Sequence, residues 1–262
     1  MRSKRQKAGH PLGLRRQKRS ALLLISFSFF SLLLSCRSSP SAPSAGEPAV
    51  DSLQDNFNGS KIDETRWVLV RDGDFRKEAI ELSGARLKIS ADTIGTDERT
   101  IKYLGLRSRS PVDFRSPKLL SCNIDWNNQS NGTYLTASIY ICPQASAGAP
   151  EKEPDWLKFE YAGVPPDKNA RALVAAKVAG QLKLLETEGW PEQRQGRLIG
   201  NQRIEIRLAQ NNLTVSEDGR RIVSTNPQLG FSSGYVYLLL SSHSNYPERT
   251  VFFDNFSITA SN

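Results

Sequence analysis

The chain has 262 residues, of which 38% are hydrophobic and 24% are charged, and its formal net charge is +8. A charge of this size favours nucleic acid as a partner, because Lys and Arg neutralise phosphates. However, residues 1–35 contain eight of the 35 basic residues and none of the 27 acidic ones, so the rest of the chain has 27 of each sign. This balance removes the electrostatic basis for nucleic acid binding, and we predict no nucleic acid partner.

The first element in the chain is a targeting segment. Basic residues precede an apolar stretch over 21–34, which is the arrangement of a signal peptide and is shorter than the roughly 20 apolar residues of a membrane-spanning helix. The tetrapeptide Leu33-Leu34-Ser35-Cys36 resembles the lipobox of bacterial lipoproteins. The resemblance implies cleavage before Cys36 and acylation of that residue, so that two or three acyl chains hold the protein to a lipid bilayer.

We therefore predict a lipoprotein signal peptide over 1–35; an ordinary cleaved signal or an uncleaved anchor is the alternative. Residues 37–50 are rich in Ser, Pro, Ala and Gly, a composition that buries too little surface to fold. The segment 36–50 is accordingly predicted to be an acylated cysteine followed by a flexible linker. The folded domain is expected over 51–262, in the bacterial cell envelope, with the outer membrane or cell surface favoured over the inner membrane.

From residue 51 onward, apolar residues alternate with polar ones in short runs that Gly, Pro, Asn and Asp interrupt. Clear examples are KLLSCNIDWN, TYLTASIYIC, DWLKFEYAG, RIEIRLAQ and GYVYLLLSS. Asp218-Gly219 supplies the turn of a tight hairpin between two such runs. About a dozen runs of this kind, with no convincing helix, predict an all-β fold: one antiparallel sandwich of two sheets.

Two cysteines remain after Cys36. Cys122 and Cys142 lie in consecutive runs separated by the turn-rich segment NNQSNG. Neighbouring antiparallel strands would bring the two thiols close together, and an exported protein meets an oxidising environment. We predict a disulfide between them; two buried free thiols are the alternative.

The two ends of the domain read DNFNGSKIDETRW (55–67) and TVFFDNFSI (250–258). The first segment is similar to the opening strand and turn of concanavalin A-like lectin/glucanase domains, and the second is similar to the closing strand that pairs with it. The resemblance implies a jelly roll whose concave face usually binds glycans. It also implies a structural calcium at Asp254, with further oxygen ligands from Asp55 or the Asn58–Gly59 turn. The alternative for Asp254 is a carboxylate that accepts hydrogen bonds from its neighbours.

The enzymes most similar to this pattern are family 16 glycoside hydrolases, whose active-site strand reads Glu-x-Asp-x-(x)-Glu. Alternate residues of a strand share one face, so these acids point together into the cleft as nucleophile and general acid. The nearest match here has Glu153 and Asp155, but Lys158 occupies the place of the third acid. Counted from Glu153, Glu160 is expected to face the other sheet. We therefore predict no catalytic residues.

Sugar binding needs aromatic platforms with polar groups nearby. The candidates are Trp126, Asn128, Tyr134, Trp156, Tyr161 and Trp190. Trp67 is expected in the core, burial is an equal alternative for Trp126 and Trp156, and Trp190 is the tryptophan most expected on the surface.

The sequence thus predicts a membrane-tethered lipoprotein that carries a carbohydrate-binding β-sandwich. The first alternative is a diverged glycoside hydrolase or lyase, and the second is a structural or protein-binding component of the envelope. Three acids converging in a groove would favour the enzyme, exposed tryptophans in a groove would favour a lectin, and a filled face would favour the structural role.

Overall fold

The predicted sandwich is present in the computed structural model, which describes residues 48–97, 99–126, 135–146, 148–162, 171–185, 201–209, 212–242 and 245–261. The strands in chain order are β1 (Leu53–Asp55), β2 (Trp67–Asp72), β3 (Lys77–Leu82), β4 (Leu87–Asp92), β5 (Lys102–Ser108), β6 (Val112–Asp113), β7 (Lys118–Asp125), β8 (Leu135–Cys142), β9 (Trp156–Ala162), β10 (Arg171–Val178), β11 (Gln181–Leu185), β12 (Asn201–Ala209), β13 (Asn212–Glu217), β14 (Arg220–Thr225), β15 (Ser233–Ser242) and β16 (Arg249–Ala260). A single 3₁₀ turn, Pro150–Lys152, is the helical element of the described residues. Within these ranges, no helix has the length and apolar character needed to cross a membrane.

Two antiparallel sheets of eight strands each make up the sandwich. In sheet 1 the order is β14-β13-β12-β7-β16-β4-β3, and β1 pairs with part of β16. In sheet 2 the order is β11-β10-β9-β8-β15-β5-β2, and β6 pairs with the start of β15. The all-β fold class predicted from the alternating runs is therefore confirmed.

The main core lies between the sheets. Alternate residues of each central strand point inward, such as Leu120, Cys122 and Ile124 on β7 and Val236, Leu238 and Leu240 on β15. A second, smaller apolar cluster contains side chains of sheet 2 only, together with Ala149, and it lies on the face of sheet 2 that points away from sheet 1. We call this face the outer face of sheet 2.

The opening and closing strands pair as the resemblance implied, with Leu53 opposite Ile258 and Asp55 opposite Phe256. The Asp55 carboxylate accepts hydrogen bonds of 2.8 Å from the Phe57 amide and from Trp67 Nε1. Trp67 is buried in the core as expected, and its ring packs edge-on against Phe256 at 5.3 Å. Asp55 and Trp67 therefore hold the first turn of the domain against its last strand.

Two further details concern the backbone. Asp218 and Gly219 have φ values of +48° and +77°, which confirms the predicted tight hairpin between β13 and β14. Val50, which we assigned to the linker, already exchanges backbone hydrogen bonds with Pro111 and Asp113. Val50 thus contacts residues of the folded domain.

Candidate functional site

Strand β9 supplies the centre of the candidate site. Its inward residues Leu157, Phe159 and Tyr161 belong to the main core. Its alternate residues Trp156, Lys158 and Glu160 therefore point to the outer face of sheet 2. Lys158 and Glu160 are only 7% and 8% exposed, which is unusual for charged side chains.

An aromatic layer surrounds Lys158 on this face. Tyr140 from β8 and Trp156 pack edge-to-face with ring centroids 5.8 Å apart. Lys158 Nζ lies 5.5 Å from the centroid of Tyr140 and 5.4 Å from that of Trp156, so both rings attract its charge. Tyr103, Tyr235 and Tyr237 from the neighbouring strands complete the layer.

Two carboxylates form ion pairs with Lys158. Glu160 Oε2 lies 3.1 Å from Lys158 Nζ, and Glu151 Oε2 lies 3.2 Å from the same atom. The Tyr140 hydroxyl donates a hydrogen bond to Glu151. Burial raises the pKa of Tyr140, so its hydroxyl stays protonated and remains a donor at neutral pH.

Glu151 belongs to a loop that lies over this layer. We call residues 143–155 the covering loop; the structure describes all of it except residue 147. Its Ser146 amide donates to the Tyr237 hydroxyl at 2.9 Å, and its Ala149 amide donates to Asp72 Oδ2 at 2.8 Å. Lys177 Nζ on β10 donates to the Glu151 carbonyl at 3.0 Å. Polar contacts from several strands of sheet 2 therefore hold the loop in place.

Hydrogen bonding on this face is incomplete. Among the described residues, three buried side-chain polar atoms have no partner: Arg107 Nε, Trp156 Nε1 and Ser241 Oγ. The strand register places all three residues on the outer face of sheet 2, since Arg107 is opposite Tyr237 and Ser241 is opposite Tyr103. Buried polar atoms in folded proteins nearly always have partners, and each one left without costs about 1–3 kcal/mol. All three therefore lie on the same face as the buried Lys158 and Glu160.

The three predicted sugar-binding residues that the structure describes do not share one surface. Trp126 and Tyr161 are fully buried in the main core, where Tyr161 donates its hydroxyl proton to Glu217, so neither can serve as a platform. Trp156 does lie on the outer face, but it is covered. The predictions at Asn128, Tyr134 and Trp190 fall outside the described residues.

The predicted disulfide is absent, because Cys122 and Cys142 are free and buried. Cys122 lies on β7 in sheet 1 and points into the main core, whereas Cys142 lies on β8 in sheet 2 and belongs to the outer cluster. The expectation was wrong because these consecutive strands belong to opposite sheets rather than to one hairpin. The alternative of two buried free thiols is what the structure contains.

No group of three or more His, Cys, Asp or Glu side chains in the described ranges is arranged to hold a metal ion. The carboxylate of Asp254 accepts hydrogen bonds from the backbone and side-chain nitrogens of Asn255. Both oxygens of Asp55 also accept hydrogen bonds. These contacts agree with the alternative given for Asp254, and calcium at this position stays a prediction.

The residues that came nearest to the Glu-x-Asp-x-(x)-Glu pattern do not form a row of acids on one strand. Glu153 and Asp155 precede β9, and Asp155 accepts a hydrogen bond from the Ala179 amide at 2.8 Å. Glu160, which we expected on the other side, shares the outer face with Lys158. At alternate outward positions β9 therefore presents Trp156, Lys158 and Glu160. Sequence reasoning missed Lys158, Glu160 and Glu151 as a group, although the alternation in WLKFE places the first two on one face.

Comparison with solved structures agrees with this architecture. The β-glucanase of Bacillus licheniformis superposes with a TM-score of 0.55 at 11% identity, over 82% of this chain and all of that one. A laminarinase from Flavobacterium gives 0.56 at 12%, over 79% and 98%, and the laminarinase catalytic domain of Thermotoga maritima gives 0.56 at 11%, over 83% and 100%. No family model and no curated protein matches the chain. The chain thus has the concanavalin A-like jelly-roll fold.

Proposed function

We propose that this protein is an exported, lipid-anchored glycan-binding protein whose ligand lies on the outer face of sheet 2. The observation that carries the proposal is the set of buried polar atoms without partners at Arg107, Trp156 and Ser241. A sheet face that served stability alone would be either apolar or fully hydrogen-bonded. Glycan hydroxyls supply both donors and acceptors, and they match a face that mixes aromatic rings with unsatisfied polar atoms.

The fold supports the same proposal, because the solved structures that share it include β-glucanases and laminarinases. Binding without cleavage follows from Lys158. Glycoside hydrolysis needs one carboxylate free to attack or activate water and a second, protonated carboxyl to act as acid. Here Lys158 Nζ lies within 3.2 Å of the carboxylate oxygens of both Glu151 and Glu160.

The test is a glycan array probed with residues 45–262, the compact unit, followed by titration calorimetry on any glycan retained. We expect binding without release of reducing sugar. The variant is Trp156→Phe, which keeps an aromatic side chain but removes the part of the indole that carries the unpartnered Nε1 donor, and it should weaken binding about five- to tenfold. A blank array with folded protein would overturn the proposal.

Anchoring is tested separately with the full chain. Cys36→Ala should move the protein from the membrane fraction to the soluble fraction, because the acylated residue is removed. Persistent membrane association of this variant would contradict the lipid anchor.

A diverged glycoside hydrolase is the second candidate, and one observation favours it. Glu151 Oε2 and Glu160 Oε2 lie 3.2 Å and 3.1 Å from the same Lys158 Nζ, so the two carboxylates are neighbours on one face, as the two acids of a glycoside hydrolase are. This candidate predicts release of reducing sugar that Glu160→Gln abolishes. Binding with no release in the wild type would decide for the first proposal.

A further inference from the structure

Lys158 holds two carboxylates of different kinds. Glu160 lies two residues away on the same strand and is 8% exposed, so its position is fixed by the sheet. Glu151 comes from the covering loop, and 31% of its side chain is exposed. Rotation of the Glu151 side chain into solvent would release its carboxylate from Lys158 without any change in the sheet.

The surroundings of the Glu151 carboxylate form a receptor for a carboxylate. Lys158 Nζ lies 3.3 Å and 3.2 Å from its two oxygens, and the Tyr140 hydroxyl donates to one of them. The rings of Tyr140 and Trp156 flank the ammonium group. Hydrogen bonds between charged groups are about twice as strong as neutral ones, so a sugar hydroxyl would replace this carboxylate poorly.

Two of the three unpartnered atoms on the outer face of sheet 2 are nitrogen donors. Trp156 Nε1 and Arg107 Nε each carry a hydrogen and are buried without an acceptor. In the strand register, Tyr237 lies between Tyr140 on one side and Arg107 on the other. Acceptor oxygens are therefore the groups that this part of the face lacks.

We propose that Lys158 and Tyr140 form a carboxylate-binding site, which Glu151 fills in the free protein and which a uronate carboxylate of an acidic glycan fills in the complex. The inference rests on the proposed glycan-binding function and adds the class of ligand. It assigns Glu151 the role of an internal competitor, so the apparent affinity equals the intrinsic affinity multiplied by the fraction of time that the site is free of Glu151.

The experiment uses the full chain in detergent, with titration calorimetry against trigalacturonate and hyaluronan fragments. Galactotriose and laminaritriose serve as neutral probes. Glu151→Gln removes the competing charge, and its matched control is Glu81→Gln, because Glu81 pairs with Lys88 at 2.8 Å on sheet 1. Lys158→Met removes the receptor cation, and Lys88→Met is the matched control.

We expect the wild type to bind at least one of the acidic probes and to bind neither neutral probe as tightly. Glu151→Gln should bind that acidic probe about three- to tenfold more tightly, and Lys158→Met should bind it at least about 30-fold more weakly. Both control variants should match the wild type. If Lys158→Met does not fold, the Glu151→Gln result carries the test.

Neutral probes bound as tightly as acidic ones, or no gain for Glu151→Gln, would overturn the carboxylate site and leave glycan binding standing. A protein that retains no acidic or neutral glycan, in the wild type and in Glu151→Gln alike, would overturn both proposals.

Discussion

The inner and outer faces of sheet 2 are made from alternate residues of the same strands, yet they differ in composition. The inner face is lined mainly by aliphatic and aromatic side chains that pack against sheet 1. The outer face buries Lys158, Glu160 and the unpartnered Ser241 among aromatic rings. Both faces bury apolar side chains, but the outer face also buries charged groups and polar atoms without partners, whose burial costs free energy. The outer face is therefore the one whose composition stability does not explain.

The largest effect should come from the inner face. Leu238→Ala, in the middle of the central strand β15, should lower the free energy of unfolding by about 2–5 kcal/mol, because it leaves a cavity in a fully buried site. Urea denaturation measures the change. Leu184→Ala is the control, because Leu184 is 65% exposed and should change the free energy by less than about 0.5 kcal/mol. Equal effects at the two positions would contradict the assignment of the inner core.

The next effect tests the outer face. Lys158→Met should lower the free energy of unfolding by about 3 kcal/mol, because Glu160 is left as a buried charge without its cation. The double variant Lys158→Met/Glu160→Leu should regain most of that loss, since replacing both partners by apolar residues is often neutral. If the double variant is as unstable as the single one, the polar pair is needed for folding and the contrast between the two faces disappears.

A smaller effect concerns how the free energy of unfolding depends on pH through Glu217, which lies on β13 and contacts the inward Tyr161. Glu217 accepts a hydrogen bond from Tyr161, and burial raises the pKa of Glu217 to about 8. The folded state therefore binds a proton that the unfolded state releases near pH 4.5, so the contribution of Glu217 to stability is greatest below pH 4.5 and is lost as pH rises through 8. We expect a loss on the order of 1–2 kcal/mol between pH 6 and 9, measured by urea denaturation. Glu217→Gln should flatten this dependence, and an unchanged slope would be evidence against the buried carboxyl.

The smallest expected effect is none. Reducing agent should leave the free energy of unfolding unchanged, because Cys122 and Cys142 are free thiols on different faces of the sandwich. A disulfide between them would make reduction cost about 2–5 kcal/mol. Burial raises the pKa of Cys122 and raises that of Cys142 to about 12, so both thiols should react slowly in the native protein and fully after unfolding without reductant. Failure to label the unfolded chain would restore the disulfide.

Most of the fold could be predicted because the alternation of apolar and polar residues, which indicates strands, is visible within a short stretch of sequence. The same signal could have placed Trp126 correctly, since Leu120, Cys122, Ile124 and Trp126 alternate toward the core. It could also have placed Tyr161, which follows Leu157 and Phe159 at the same spacing. What alternation cannot show is whether two consecutive strands form a hairpin or cross between sheets, and for this reason the pairing of Cys122 with Cys142 was predicted wrongly.

The candidate site was less predictable, because its contacts join distant parts of the chain. Arg107, Tyr140 and Ser241 share one face only after β5, β8 and β15 have assembled in their register. The position of Glu151 depends on how the covering loop crosses sheet 2, and no period in the sequence encodes that path. Trp156, Lys158 and Glu160 form the part that a local pattern could have given.

The pairing of β1 with β16 has a consequence for how the chain can be rearranged. Because Leu53 lies opposite Ile258, the first and last described segments emerge side by side from sheet 1. A short peptide could therefore join residue 261 to residue 48, and new termini could be opened at the exposed Asp218-Gly219 turn. Such a circular permutant would keep every pair of neighbouring strands in both sheets, although the order of the strands along the chain would change.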